Sequence, residues 1–148
     1  MAEATIHASA VLVGTRAFLI RGPAGAGKSS LALRLVQAAE TGLLPFARLV
    51  ADDRAHVEAC HGRLLVRPAP RLAGLIEIRG LGIRRTPFEP VAVVALVVDL
   101  AVDEVDRLPQ PEQRQTTIAG VSLPRLAVAP GIDPLPRLLA LGHTAAAA

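Results

Sequence analysis

The chain has 148 residues, of which 51% are hydrophobic and 20% charged, with a formal net charge of +3. That length suits one core and that composition excludes wholesale disorder, so a single domain over residues 1–148 is expected, its core running from about 6 to 141. No apolar run reaches the ~20 residues of a membrane span, Cys60 has no second cysteine to pair with, and no basic leader precedes an apolar stretch, so a cytoplasmic protein without a membrane span is expected.

In chain order, Ile6 to Val13 and Ala17 to Ile20 read as two short strands around a Gly14-Thr15 turn. Gly22 to Ser29 is a glycine-rich loop. From Lys28 to Ala39 only Ser30, Arg34 and Gln37 interrupt an apolar surface, which predicts a buried helix stopped at Gly42. Leu43 to Ala47 is a loop, and Arg48 to Ala51 a short strand that runs into Asp52-Asp53. Val57 to Ala59 and Leu64 to Val66 flank Gly62 as a hairpin closed by Pro68 and Pro70. Leu75 to Ile83 is expected to be loop and short strand, Val91 to Leu100 a buried strand, and Asp103 to Thr116 a polar loop. Val121 to Val128 supplies a further strand, Pro134 to Leu141 a short helix, and residues 142–148 a disordered tail. The elements together predict an α/β fold with a central mixed sheet.

Gly22-Pro23-Ala24-Gly25-Ala26-Gly27-Lys28-Ser29 fits G-x-x-x-x-G-K-[ST] with a strand before it and a helix after it. The glycines let backbone N–H groups turn toward a phosphate, and the helix start adds its positive end. Lys28 is expected to reach the β- and γ-phosphates of ATP and Ser29 to ligate Mg2+. Lys28 is the only lysine among 16 basic residues, at the position where a compact ammonium fits and a planar guanidinium does not. Asp52-Asp53 at a strand end suits metal binding or proton acceptance, and on an extended strand only one of the two would face the phosphates. Aromatic residues at 2% and scattered arginines argue against nucleic-acid binding.

Leu75-Ile76-Glu77-Ile78-Arg79-Gly80-Leu81-Gly82-Ile83 and Leu49-Val50-Ala51-Asp52-Asp53 together resemble the catalytic domain of the bacterial HPr kinase/phosphorylase family, whose hallmarks read "LEIRGLGI" and "ADD". The resemblance runs from about His7 to Gly131. It implies an HPr kinase-like P-loop fold and an ATP- and Mg2+-dependent kinase that phosphorylates a serine on an HPr-like phosphocarrier protein. It further implies His7 as the active-site histidine, Asp53 as the proton acceptor with Asp52 the alternative, and Glu77 as a second Mg2+ ligand. Val105-Asp106-Arg107-Leu108 resembles the family's "DRL" element and makes Arg107 the charge-stabilising arginine. The family assembles as a homo-hexamer and also removes the phosphate by phosphorolysis. Its separate N-terminal domain has no counterpart ahead of His7, so a short form is expected. The family's late "VRPGRN" loop, linked to dephosphorylation, appears here as Val128-Ala129-Pro130-Gly131-Ile132-Asp133 without either arginine, so phosphate-dependent reversal stays open for this chain. A small P-loop kinase with a metabolite substrate, or a nucleotide-sensing regulator without turnover, are the alternative readings.

Overall fold

The computed structural model describes residues 4–142, 145 and 147; most of the tail expected over 142–148 falls outside them. Among the described residues, eleven strands and two α-helices form a mixed α/β fold, with the helix that follows the glycine-rich loop packed against a curled sheet. The sheet order is β1 (Ala4–Ile6), β5 (Ala55–Cys60), β6 (Arg63–Pro68), β9 (Ala92–Asp99), β3 (Arg16–Arg21), β2 (Ala8–Val13), β4 (Ala47–Ala51). Strand β9 is the hub. It runs parallel to β3 along most of its length, its first two residues pair antiparallel with β6, and its last three residues pair parallel with β11 (Val121–Ala127).

Successive strand residues point to opposite faces, and the two faces bury separate clusters. Leu19 and Val97 join Val57, Leu64 and Val66 on one face. Ile20, Leu96 and Val98 on the other face meet Leu31, Ala32, Leu35 and Ala38 of helix α1 (Lys28–Glu40). That spacing of three and four places α1's apolar side chains in one stripe, as its sequence predicts. The helix ends in a Schellman motif: Leu43 N–H donates to Ala38 O at 2.8 Å and Gly42 N–H to Ala39 O at 3.2 Å, with Gly42 at φ +83°.

Three expectations need correction. The strand expected over Ile6 to Val13 is divided at His7, because β1 pairs with β5 while β2 pairs with β3 and β4, and the chain bends between them. The segment Leu75 to Ile83 is a full hairpin of β7 (Leu75–Ile78) and β8 (Gly82–Arg85), a two-stranded sheet of its own. The polar loop expected to Thr116 is cut short by a 3-10 turn at Pro111–Arg114 and by β10 (Gln115–Ile118), which pairs with β11 across Ala119-Gly120. Both turn residues sit at positive φ, 51° and 79°, the signature of a two-residue type I′ hairpin. The remaining elements match their expected segments, ending with α2 (Leu135–Leu141).

Candidate active site

Strand β3 delivers the chain at Arg21 into the loop 22–27, and α1 begins at Lys28. Gly27 precedes the helix at φ +100° and ψ 21°, a left-handed conformation that L side chains rarely adopt, and no side chain caps the first turn. The helix start therefore presents its N–H groups toward the loop, as anion binding requires. Lys28 is buried, and its Nζ donates to Gly22 O at 2.8 Å and Pro23 O at 3.2 Å, so the ammonium is held inside the loop by loop carbonyls. Gly22 is closely surrounded: an added Cβ would lie 3.2 Å from those of Ala26 and Leu100, so these neighbours would have to give way by a few tenths of an ångström.

Beside this loop, Asp52 is the buried acid. Its Oδ1 accepts the hydroxyls of Ser29 at 2.7 Å and Ser9 at 2.8 Å, and its Oδ2 accepts the Glu77 N–H at 3.1 Å. Asp53 is mostly exposed and stands 3.7 Å from His7, also exposed. The alternation expected of an extended strand does not hold for this pair. Strand β4 ends at Ala51, and Asp53 adopts φ +67°, so the two aspartates sit in a turn in which their carboxylates have separate partners. A non-glycine residue at positive φ is uncommon, and such strain gathers at functional sites.

Of the residues expected from sequence, the structure brings together His7, Gly22, Pro23, Ala24, Gly25, Ala26, Gly27, Lys28, Ser29, Asp52 and Asp53 around one loop and one turn. Glu77 joins through its backbone N–H, while its side chain is exposed. Arg107 is exposed on the 100–110 segment, and among the described contacts none ties it to the loop or the aspartates. Its neighbours Val105 and Asp106 line a different, mostly apolar cavity with Leu96, Pro124 and Leu126.

Sequence reasoning missed three features. Ser9 is fully buried and joins both aspartates; in sequence it is one small residue among alanines. Asp99 at the end of β9 accepts Arg21 through two hydrogen bonds, at 2.7 and 2.8 Å, and also Arg125, tying together the ends of β3, β9 and β11 next to the loop. Burial pushes the Asp99 carboxyl up, but the hydrogen bonds and charges of Arg21 and Arg125 outweigh it and leave it below the usual carboxylate range. Third, a cavity of about 410 Å3 opens between the loop and the segment 128–134, lined by Gly25, Gly27, Arg34, Leu100, Pro130 and Ile132 among others. Arg34 closes one side with a two-pronged bond to Asp133 at 2.7 and 2.8 Å. That guanidinium and the Leu135 N–H lower the Asp133 carboxyl to about 2.

The donor set suits Mg2+, which takes hard oxygen ligands and is held by one or two carboxylates together with substrate phosphates. A serine hydroxyl against a buried carboxylate supplies such oxygens. Among the described residues no group of three or more His, Cys, Asp or Glu side chains gathers to hold a metal unaided.

A strand feeding a glycine-rich loop and a helix, with an acid on the loop's serine, is the arrangement of P-loop phosphate-binding domains, built here on a curled mixed sheet. The chain belongs to a specific family within that class. A family model described as the HPr Serine kinase C-terminal domain matches residues 1–133. Similar curated proteins include the HPr kinase/phosphorylase of Limosilactobacillus reuteri (strain DSM 20016), 35% identical over 136 residues that cover 84% of this chain and 40% of that one. The HPr kinase/phosphorylase of Geobacillus thermodenitrificans (strain NG80-2) is 36% identical over 135 residues, covering 83% and 41%. This chain thus spans about two-fifths of the length of those relatives. Among solved structures, the Hpr(Ser) kinase/phosphatase from Coxiella burnetii superimposes with a TM-score of 0.71 at 26% identity, covering 93% of this chain and 85% of that one.

Proposed function

We propose that this chain is a single catalytic domain that transfers the γ-phosphoryl of ATP, with Mg2+, to a serine hydroxyl of an HPr-like phosphocarrier protein. The observation that carries the proposal is the division of labour in the Asp52-Asp53 pair: Asp52 bonds the P-loop hydroxyl of Ser29, and Asp53 stands free of the loop beside His7. Asp52 then serves the metal side, and Asp53 takes the proton of the attacking serine, with His7 tuning or relaying it. Mg2+ supplies charge neutralisation between the phosphates when bound, with Ser29 as ligand and Glu77 as the second ligand the resemblance suggests. Lys28 exchanges its two loop carbonyls for phosphate oxygens, and positioning with electrostatic stabilisation accounts for most of the rate. The nucleoside part of ATP has the cavity between Gly25–Gly27 and segment 128–134 open to it. Arg107 enters this reading on the resemblance alone. A homo-hexamer and a cytoplasmic location belong to the same reading, and phosphorolysis, with Ala129 and Ile132 in place of the family's arginines, is its open half.

The test is incubation with γ-labelled ATP, Mg2+ and a purified HPr-type carrier. Label is expected on a carrier serine, and Lys28→Ala and Asp53→Asn are each expected to abolish it. A protein that binds Mg-ATP normally yet labels no carrier refutes the proposal; label on a metabolite instead points to a small-molecule kinase.

A further inference from the structure

Asp52 and Asp53 are neighbours in the chain with different tasks, and among the described residues Ser9 is the one side chain bonded to both. It sits in β2 with no exposed surface, and its hydroxyl has its bonding directions assigned. One lone pair accepts the Asp53 N–H at 3.2 Å, so the single hydroxyl proton goes to Asp52 Oδ1 at 2.8 Å. That proton and the Ser29 hydroxyl both fall on Oδ1, while Oδ2 keeps only the Glu77 N–H. The carboxylate is thus oriented with Oδ1 saturated and Oδ2 holding spare acceptor capacity. On the other side, the Asp53 N–H to Ser9 and the Ala8 N–H donated to Asp53 O at 3.2 Å hold Asp53 at its positive φ. Without the Ser9 hydroxyl, a buried acceptor bond and a backbone N–H both lose their partner, and among the described residues no other hydroxyl bonds both members of the pair, since Ser29 reaches Asp52 alone.

We infer that Ser9 is a positioning residue, one that fixes the orientation of the Asp52 carboxylate toward the Mg2+-nucleotide and, through the same oxygen, the left-handed turn that aims Asp53. The inference rests on the reading of Asp52 as the metal-side acid. Its prediction is a Mg2+-specific defect: losing the hydroxyl weakens nucleotide binding in Mg2+ and leaves Mg2+-free binding nearly unchanged.

Ser9→Thr and Ser9→Val have nearly the same shape and differ in the hydroxyl, so steric effects cancel between them. Binding of a fluorescent ATP analogue, titrated with Mg2+ and repeated in EDTA, reads the effect without any turnover. Ser9→Val is expected to weaken Mg2+-dependent binding about ten- to hundredfold, the range of a hydrogen bond to a charged group, and Ser9→Thr to stay within about twofold of the unaltered protein. Equal Mg2+ dependence in the two variants overturns the inference, and so does an equal loss with and without Mg2+, which marks a purely structural role. If Ser9→Val does not fold, Ser9→Cys replaces it: its weaker donor is expected to give a smaller Mg2+-specific loss, and unaltered Mg2+ dependence overturns the inference. A failure of the kinase proposal reads out separately, as unaltered protein that binds Mg-ATP without labelling any carrier.

Discussion

Gly74 leads into the β7–β8 hairpin, and Gly74→Ala tests how tightly that hairpin is fitted. The residue is buried at φ +75° just ahead of β7, and its carbonyl accepts the Thr86 N–H at 2.8 Å. A left-handed conformation costs an L residue about 1–2 kcal/mol. An added Cβ would also lie 2.9 Å from Cδ1 and 3.2 Å from Cε1 of the Phe88 ring, with Thr86 O at 3.3 Å. Phe88 is packed against the α1-side core and its backbone bridges Leu49, so the ring has little freedom to retreat, and such overpacking costs about 1–3 kcal/mol. The sum is a loss of about 2–5 kcal/mol, or roughly 4–20 °C in Tm for a domain of this size. Urea denaturation of four proteins, the unaltered chain, Gly74→Ala, Phe88→Ala and the double variant, separates the two contributions. With the ring gone, Gly74→Ala is expected to cost only the backbone share, about 1–2 kcal/mol. A cost below about 0.5 kcal/mol with the ring present, or the same cost in both backgrounds, refutes the steric reasoning.

Asp52 offers a sharper contrast of two substitutions. Asp52→Ala leaves the Ser9, Ser29 and Glu77 donors facing a void and is expected to cost about 2–5 kcal/mol by urea denaturation, whereas Asp52→Asn can turn its amide to accept the Glu77 N–H and donate to a serine, and should cost about 1 kcal/mol. Because the folded Asp99 carboxyl is held below its unfolded value, its stabilisation is present above the unfolded pKa and is lost as pH falls through the folded one; Asp99→Asn is therefore expected to flatten the acid limb of a Tm-versus-pH profile. By the same sign, the Arg34–Asp133 bond persists down to about pH 2, where the carboxyl protonates, and an NMR titration of the Asp133 side-chain carbonyl should show its midpoint near there and moving upward in Arg34→Gln.

Much of this fold is legible in the chain because its signals are local. The stripe of Leu31, Ala32, Leu35 and Ala38, the stop at Gly42 and the β-branched run through Val97 and Val98 each follow from spacing within a dozen residues. The P-loop is legible for the same reason, since its chemistry is contiguous. What escaped notice depends on partners distant in sequence. The bend at His7 exists because β1 and β2 choose different neighbours, which the apolar pattern of Ile6 to Val13 does not encode. Strand β8 is exposed at every position and carries no burial pattern, and β10 is polar and held by β11. Ser9 is separated from Asp52 by 43 positions, and its only sequence signal is a hydroxyl between two alanines in a buried strand. The resemblance supplied His7, whose neighbourhood to Asp53 its own strand context does not reveal.

The central position of β9 has a consequence for when the molecule becomes usable. Strand β3, which leads into the glycine-rich loop, is complete by Arg21, but its parallel partner spans Ala92–Asp99, and β9 in turn takes β11 at Arg125–Ala127. Pairings of such long sequence separation have a high loop-closure cost and form late. As the chain leaves the ribosome, the glycine loop is therefore synthesised early and fixed in place only after β9 has emerged. Until then one edge of β3 is an open strand, and this interval is the one in which the domain is most exposed to mispairing and aggregation.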